Sequence, residues 1–158
     1  MEMIGTIVGD WIGMIHVITS LIAMILGGAV LLSDKGTMRH KRIGYAYTIS
    51  MIIILLTAMM IYRLSGSFGP FHVIAIIGFI YLGIGIIPMV LKVNRWLNLH
   101  VYFMYWSVVG LYAAFVAELV VRIPDTPFWW MVGVGTLIVS LAGGMVYRNM
   151  RSTWLNHR

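Results

Sequence analysis

The chain has no cysteine in its 158 residues. That absence excludes a disulfide, a thiolate-held zinc or iron–sulfur centre, and haem attached through thioethers, so any redox or metal chemistry has to use another ligand type. Acidic charge is almost as scarce: 5 Asp and Glu stand against 11 Lys and Arg, and charged residues make up only 10% of the chain. Soluble domains carry about 25% charged residues, so a chain this poor in charge cannot cover itself with a hydrated surface. Long polar stretches are missing too, and with them any separate soluble domain. The basic excess does not point to nucleic acid, because these residues sit in short connections between apolar blocks rather than along one face. What is there is apolar: 61% hydrophobic residues and a mean hydropathy of +0.94. The composition is that of an integral membrane protein whose first partner is the lipid bilayer.

Five apolar blocks reach the roughly 20 residues needed to cross a hydrocarbon core. They cover residues 10–32, 43–62, 71–91, 97–121 and 128–147. The connections SDKGTMRHKR, RLSGSFGP, KVNRWLN and RIPDTP are short and rich in turn residues. The expected fold is all-α, a polytopic membrane protein with a single transmembrane domain. It comprises an antiparallel four-helix bundle and a fifth, peripheral helix, since PFWWMVGVGTLIVSLAGGMVY contains no acidic, basic or histidine side chain. Residues 148–158 read as a basic cytoplasmic tail whose arginines meet anionic head groups. The N-terminus has no basic n-region, its charges being Glu2 and Asp10, so the first block is expected to be retained as a span. Sorted by alternate sides of a bilayer, Lys35, Arg39, Lys41, Arg42, Lys92, Arg95, Arg148, Arg151 and Arg158 fall together, opposite Arg63 and Arg122. The positive-inside rule then sets a multi-pass protein in the cytoplasmic membrane, with the N-terminus outside and the C-terminus in the cytoplasm.

A helix turns 100° per residue, so offsets of 3, 4, 7, 11 and 18 return to nearly one face. In the fourth span this aligns His100, Met104, Ser107, Leu111, Ala114 and Glu118. His100 and Glu118 are then about 27 Å apart, close to the hydrocarbon thickness. Ionisable groups facing lipid are costly, so that stripe should face protein. His16, Ser20, Ala23 and Gly27 share a face of the first span, continued by Gly9 and Gly13; small residues at such spacing let another backbone approach. His40, Gly44, Tyr47 and Met51 share a face of the second span, and His72, Phe79 and Gly83 one of the third.

Histidine thus occurs once in each of the first four spans. Because successive helices alternate in direction, His16 and His72 form an outer pair and His40 and His100 an inner pair. In a sequential bundle each pair lies on a diagonal, the arrangement needed by a b-type haem held between two imidazoles. Glycines 13, 44, 78, 83 and 110 could make room for porphyrin, and Arg39, Lys41, Arg42 and Arg95 could pair with propionates. The expected function on this reading is electron transfer, with a quinone or a redox protein as partner. A second constellation, His16, His72 and Glu118, has the two-histidine, one-carboxylate composition of a zinc or non-haem iron site with enzymatic or transport use. Glu118 also stands four residues before Arg122, where an ion pair would serve it equally well. A third reading is a cofactor-free accessory subunit of a homo-oligomer or larger membrane complex, its histidines satisfied by hydroxyls or carbonyls. The 13 methionines lack a clustered metal-binding motif and read as packing residues.

The central histidine of the first block, KGTMRHKRIGYAYTISM, FGPFHVIAIIGF, and the fourth block ending AAFVAELVVR together resemble a bacterial family of predicted membrane proteins called domain of unknown function 2306. The resemblance covers about residues 11–122, with KGxxxH and the following GY as its most recognisable part, and leaves the fifth span outside. It implies a membrane fold and marks His16, Lys35, Gly36, His40, Gly44, His72, His100 and Glu118. The four-histidine core is also similar to the di-haem b-type membrane cytochromes, although His40, inside the basic run RHKR, sits shallower than that pattern has it.

Overall fold

The structure, a computed structural model, describes residues 11–61, 67–120 and 127–156. Its elements are α1 (Trp11–Leu32), α2 (Met38–Met60), α3 (Pro70–Val90), α4 (Trp96–Val120) and α5 (Phe128–Asn156). All five helices are long and apolar enough to cross a membrane, so the protein is an all-α polytopic membrane protein. Helices are the form such segments must take, because a helix satisfies its backbone N–H and C=O groups internally where no water can reach them. Large apolar side chains point outward along them, Ile25 at 72%, Leu32 at 90% and Trp130 at 74% exposure. In a bilayer these are lipid-facing positions.

The chain forms two compact units, Met1–Gly83 and Ile84–Arg158, with the boundary inside α3. In the first unit, Ser33 meets His40, Gly44 faces Val30 and His16 meets Thr57, so α1 and α2 run antiparallel in a hairpin. Its core holds Ala23, Gly27 and Val30 of α1 with Tyr47, Ser50, Met51, Ile54, Leu55 and Thr57 of α2. The N-terminal part of α3 buries His72, Ala75 and Leu82 and comes close to α2 at Gly78, where a Cβ would lie 2.6 Å from Leu55 Cδ2.

In the second unit, α4 and α5 are again antiparallel: Tyr105 bonds Gly143, and Gly135 lies beside Val116 and Val120. Lipid tails are as apolar as the side chains, so such pairs hold by close packing and hydrogen bonds rather than by exclusion from water. The Tyr105 hydroxyl donates to the Gly143 carbonyl at 2.7 Å. Around it Tyr105, Tyr147 and Trp154 pack ring to ring, with centroids 5.2–6.4 Å apart.

Two helix limits differ from the sequence expectation. The second helix begins at Met38 rather than 43, because Thr37 caps it: the Thr37 hydroxyl oxygen accepts the His40 amide at 3.2 Å. Hydropathy starts only after the basic residues, whereas the helix starts at its cap. The fifth helix runs past Tyr147 to Asn156. Trp154, seven residues on and therefore on the same face, is only 6% exposed against Tyr105, which ties the basic tail into the fold.

Candidate functional site

The α1–α2 corner collects much of the KGTMRH pattern. A helix end leaves its last carbonyls without intrahelical donors. Here the Lys35 ammonium supplies them, donating to Val30 O at 2.9 Å, Leu31 O at 2.7 Å and Ser33 O at 3.1 Å. Burial pushes that ammonium below its ordinary 10.5, while the charge of Asp34 pulls it back up. Gly36 turns the chain with φ +78, a left-handed conformation that a side chain disfavours. Thr37 then caps α2 and donates its own hydroxyl to Asp34 O at 2.8 Å. Lys35, Gly36 and Thr37 therefore build the corner that presents His40.

Each of the four histidines uses Nδ1 in a hydrogen bond, and the partner decides where the ring proton sits. His100 Nδ1 lies 2.9 Å from Gly85 O. A carbonyl only accepts, so Nδ1 carries the proton and Nε2 of the neutral ring has the lone pair. His16 Nδ1 is 2.9 Å from Thr57 Oγ1, whose single proton is directed to Ile53 O or Ile54 O at 2.8 and 2.9 Å. With that proton on a carbonyl, the Thr57 oxygen can accept from His16 Nδ1–H. His40 Nδ1 is likewise 3.1 Å from Ser33 Oγ, which donates to Val30 O at 2.9 Å. Donation of one ring N–H to an oxygen acceptor is the support that ligating histidines carry.

His72 is held the other way round. Its Nδ1 accepts the Gly69 amide at 3.1 Å, so in the neutral ring Nε2 bears the proton. Gly69 is the N-cap of α3, Pro70 the first helical residue and His72 the third. A third-position side chain reaching back to the cap amide is one half of a capping box. The ring is only 2% exposed and stacks on Phe68 at 5.1 Å. Held this way, His72 offers a metal no lone pair at Nε2.

The inward faces expected from helical spacing are present. None of His100, Met104, Ser107, Leu111, Ala114 and Glu118 is exposed, and Ser107 and Leu111 are buried. His16, Ser20, Ala23 and Gly27 also avoid the surface. His16, His40 and His72 belong to the first unit, His100 and Glu118 to the second. Within each unit the described residues include no group of three His, Asp or Glu side chains at metal-binding spacing. Arg122, the alternative partner of Glu118, lies outside the described residues, as do Arg63, Asp10, Gly9 and Arg158. Of the glycines expected to make room for porphyrin, Gly110 faces open space, Gly44 is in ordinary contact with Val30, and the space beside Gly78 is taken by Leu55. Arg39, Lys41, Arg42 and Arg95 are exposed.

Sequence reasoning missed the partners that set the tautomers. Ser33 and Thr57 look like ordinary small polar residues, and a backbone carbonyl such as that of Gly85 carries no sequence signal. The Lys35 cap was legible in outline, as a basic residue next to a helix end and a glycine.

The family described as predicted membrane protein (DUF2306) matches residues 13–147. The match takes in the fifth span, which the resemblance read from the sequence had left outside. No curated protein and no solved structure matches the chain.

Proposed function

We propose, for a chain that belongs to the predicted membrane protein family DUF2306, that it is a small b-type haem protein of the membrane, passing electrons between a quinone or redox protein and a second carrier. The observation that carries this reading is the His100 hydrogen bond to Gly85 O, which obliges Nε2 to present its lone pair. His16 and His40, each with Nδ1 beside a hydroxyl, Thr57 Oγ1 and Ser33 Oγ, are the further candidate ligands. His72 as held does not fit, so the candidate ligands are His16, His40 and His100. A b-type haem held by imidazoles would supply a one-electron iron couple. The protein's part is to fix the ring tautomers, exclude water with its apolar helices and offer cations at the helix ends. The nine-to-two distribution of basic residues supports an orientation in the cytoplasmic membrane with the N-terminus outside.

The test is the dithionite-reduced visible spectrum of protein purified from haem-replete cells, with metal analysis of the same sample. The expected result is a low-spin haem b α-band that His100→Ala abolishes. His72→Gln should keep it, because glutamine preserves the cap and cannot ligate haem. A preparation with no α-band, or one whose band is lost equally with His72→Gln, overturns the reading. Zinc or iron without haem would favour the carboxylate-containing site instead.

A further inference from the structure

We propose that the pocket at the α3–α4 loop binds the phosphate group of an anionic phospholipid. The pocket measures about 690 Å³, within the 300–1,000 Å³ range of small-molecule sites. Lys92, Asn94, Arg95 and Asn98 give it cations and amide donors, while Trp96 and Leu155 give it apolar walls. Leu155 is there because α5 continues to Asn156, held by the buried Trp154.

Among the described residues of this unit, no carboxylate balances the charge of this pocket. The described carboxylate of this unit is Glu118, at the far end of α4, about 33 Å along the helix from Trp96. The first turn of α4 contains no acidic residue, so the positive end of the helix dipole adds to Lys92 and Arg95 instead of opposing them. Leu99 N bonds Arg95 O and Trp96 N bonds Val93 O; the amides of Leu97 and Asn98 precede the first intrahelical acceptors of that turn.

Place in the fold favours a lipid over a free anion. The pocket lies where two membrane-length helices meet, at the end of α3 and the start of α4, which is head-group depth. Trp96 is an interfacial residue type, and basic pockets at helix ends recognise phospholipid head groups. A head group can place its phosphate on Lys92 and Arg95 while its acyl chains run down the lipid-facing helices. A dissolved phosphate makes no use of the apolar walls. The proposal shares Arg95 with the propionate partners of the haem reading, but its test does not need haem.

The experiment is thermal unfolding of the purified full chain in a zwitterionic detergent, with phosphatidylglycerol, phosphatidylcholine or inorganic phosphate added. Phosphatidylglycerol should raise the melting temperature by several degrees, and the other two should not. Lys92→Gln with Arg95→Gln should lose at least half of that shift. Arg39→Gln with Arg42→Gln, exposed cations of α2 outside the pocket, should keep it. In the unmodified chain the shift should shrink as ionic strength rises, so the proposal stays testable even where the double variant folds poorly. A shift that ignores salt, survives the Lys92 and Arg95 changes, or falls equally in the Arg39 and Arg42 control overturns it. Equal protection by inorganic phosphate also overturns it, making the site one for the free anion.

Discussion

Gly143 and Gly144 are neighbours on α5, yet substitution by alanine should separate them. A Cβ at Gly143 would lie 2.8 Å from Val109 Cγ1, 2.9 Å from Cγ2 and 3.5 Å from Cβ, whereas one at Gly144 would meet nothing within 4 Å. Carbon atoms in comfortable contact stand about 3.5–4.0 Å apart. Val109 cannot turn out of the way, because both its methyls are in the path and a valine in a helix has one strongly preferred χ1. Parting the helices would stretch the Tyr105 bond to Gly143 O, now 2.7 Å. Both substitutions gain the same helix propensity, about 0.8–1.0 kcal/mol on scales measured in water, so that gain cancels in the comparison. What is left is the overpacking cost of one added methyl group, about 1–3 kcal/mol.

Gly143→Ala should therefore be less stable than Gly144→Ala by about 1–3 kcal/mol. The measurement is unfolding of the detergent-solubilised protein, followed by tryptophan fluorescence. Val109→Ala should restore much of the loss in the Gly143→Ala background, since it removes both obstructing methyls; a double-mutant cycle isolates that coupling. If the two alanine variants agree within about 0.5 kcal/mol, or if Val109→Ala merely adds its own cost, the close approach of α4 and α5 at this point is wrong.

At the α1–α2 corner, Gly36→Ala should cost about 1–2 kcal/mol by its left-handed φ alone, because its Cβ would have open space; Gly36→Asn should cost less, and equal losses in thermal unfolding would point to a steric cause instead. Lys35→Met removes three carbonyl contacts and should destabilise by about 1 kcal/mol, a modest figure because the side chain is half-exposed. The ammonium titrates below 10.5 in the fold, so between that lowered value and 10.5 the unfolded chain holds the extra proton and stability rises with pH. Across that alkaline window the unmodified chain should gain on Lys35→Met, and a gap that stays flat or closes would contradict the burial argument. His72→Ala should lose the α3 cap and about 1 kcal/mol, while His72→Gln should lose much less; indistinguishable melting curves for the two would refute the capping role.

Much of the fold is legible in residue chemistry. Apolar length marks all five helices, and the 3.6-residue period marks the protein-facing sides of the first and fourth, because a hydrocarbon solvent leaves few other places for His16, His100 and Glu118. Helix limits are less legible, since Thr37 acts through one hydrogen bond and Trp154 through a contact across to α4. The fifth helix shows the limit most clearly. Its glycines look scattered, yet Gly135 and Gly143 are where α4 comes close, while Gly133 and Gly144 face open space. Two adjacent glycines differ by only 100° about the helix axis, and nothing in the dipeptide says which one meets the neighbour.

The histidines show why residue type and helical depth are insufficient for assigning ligands. His16 and His72 look equivalent by both criteria, one near the start of the first span and one near the start of the third. Their first hydrogen bonds set them apart: Nδ1 of His16 meets a threonine hydroxyl, which can accept its proton, and the Gly69 amide gives its proton to Nδ1 of His72. FGPFH encodes that difference locally, since a glycine cap, a proline in the first helical position and a side chain in the third are the ingredients of a helix start. The same logic places most of KGTMRH in a corner and leaves His40 with its Nδ1 beside Ser33 Oγ. Replacing a polar partner such as Ser33 or Thr57 tests a histidine's role more sharply than removing the histidine itself, because it takes away the group that meets Nδ1 while the imidazole stays in place.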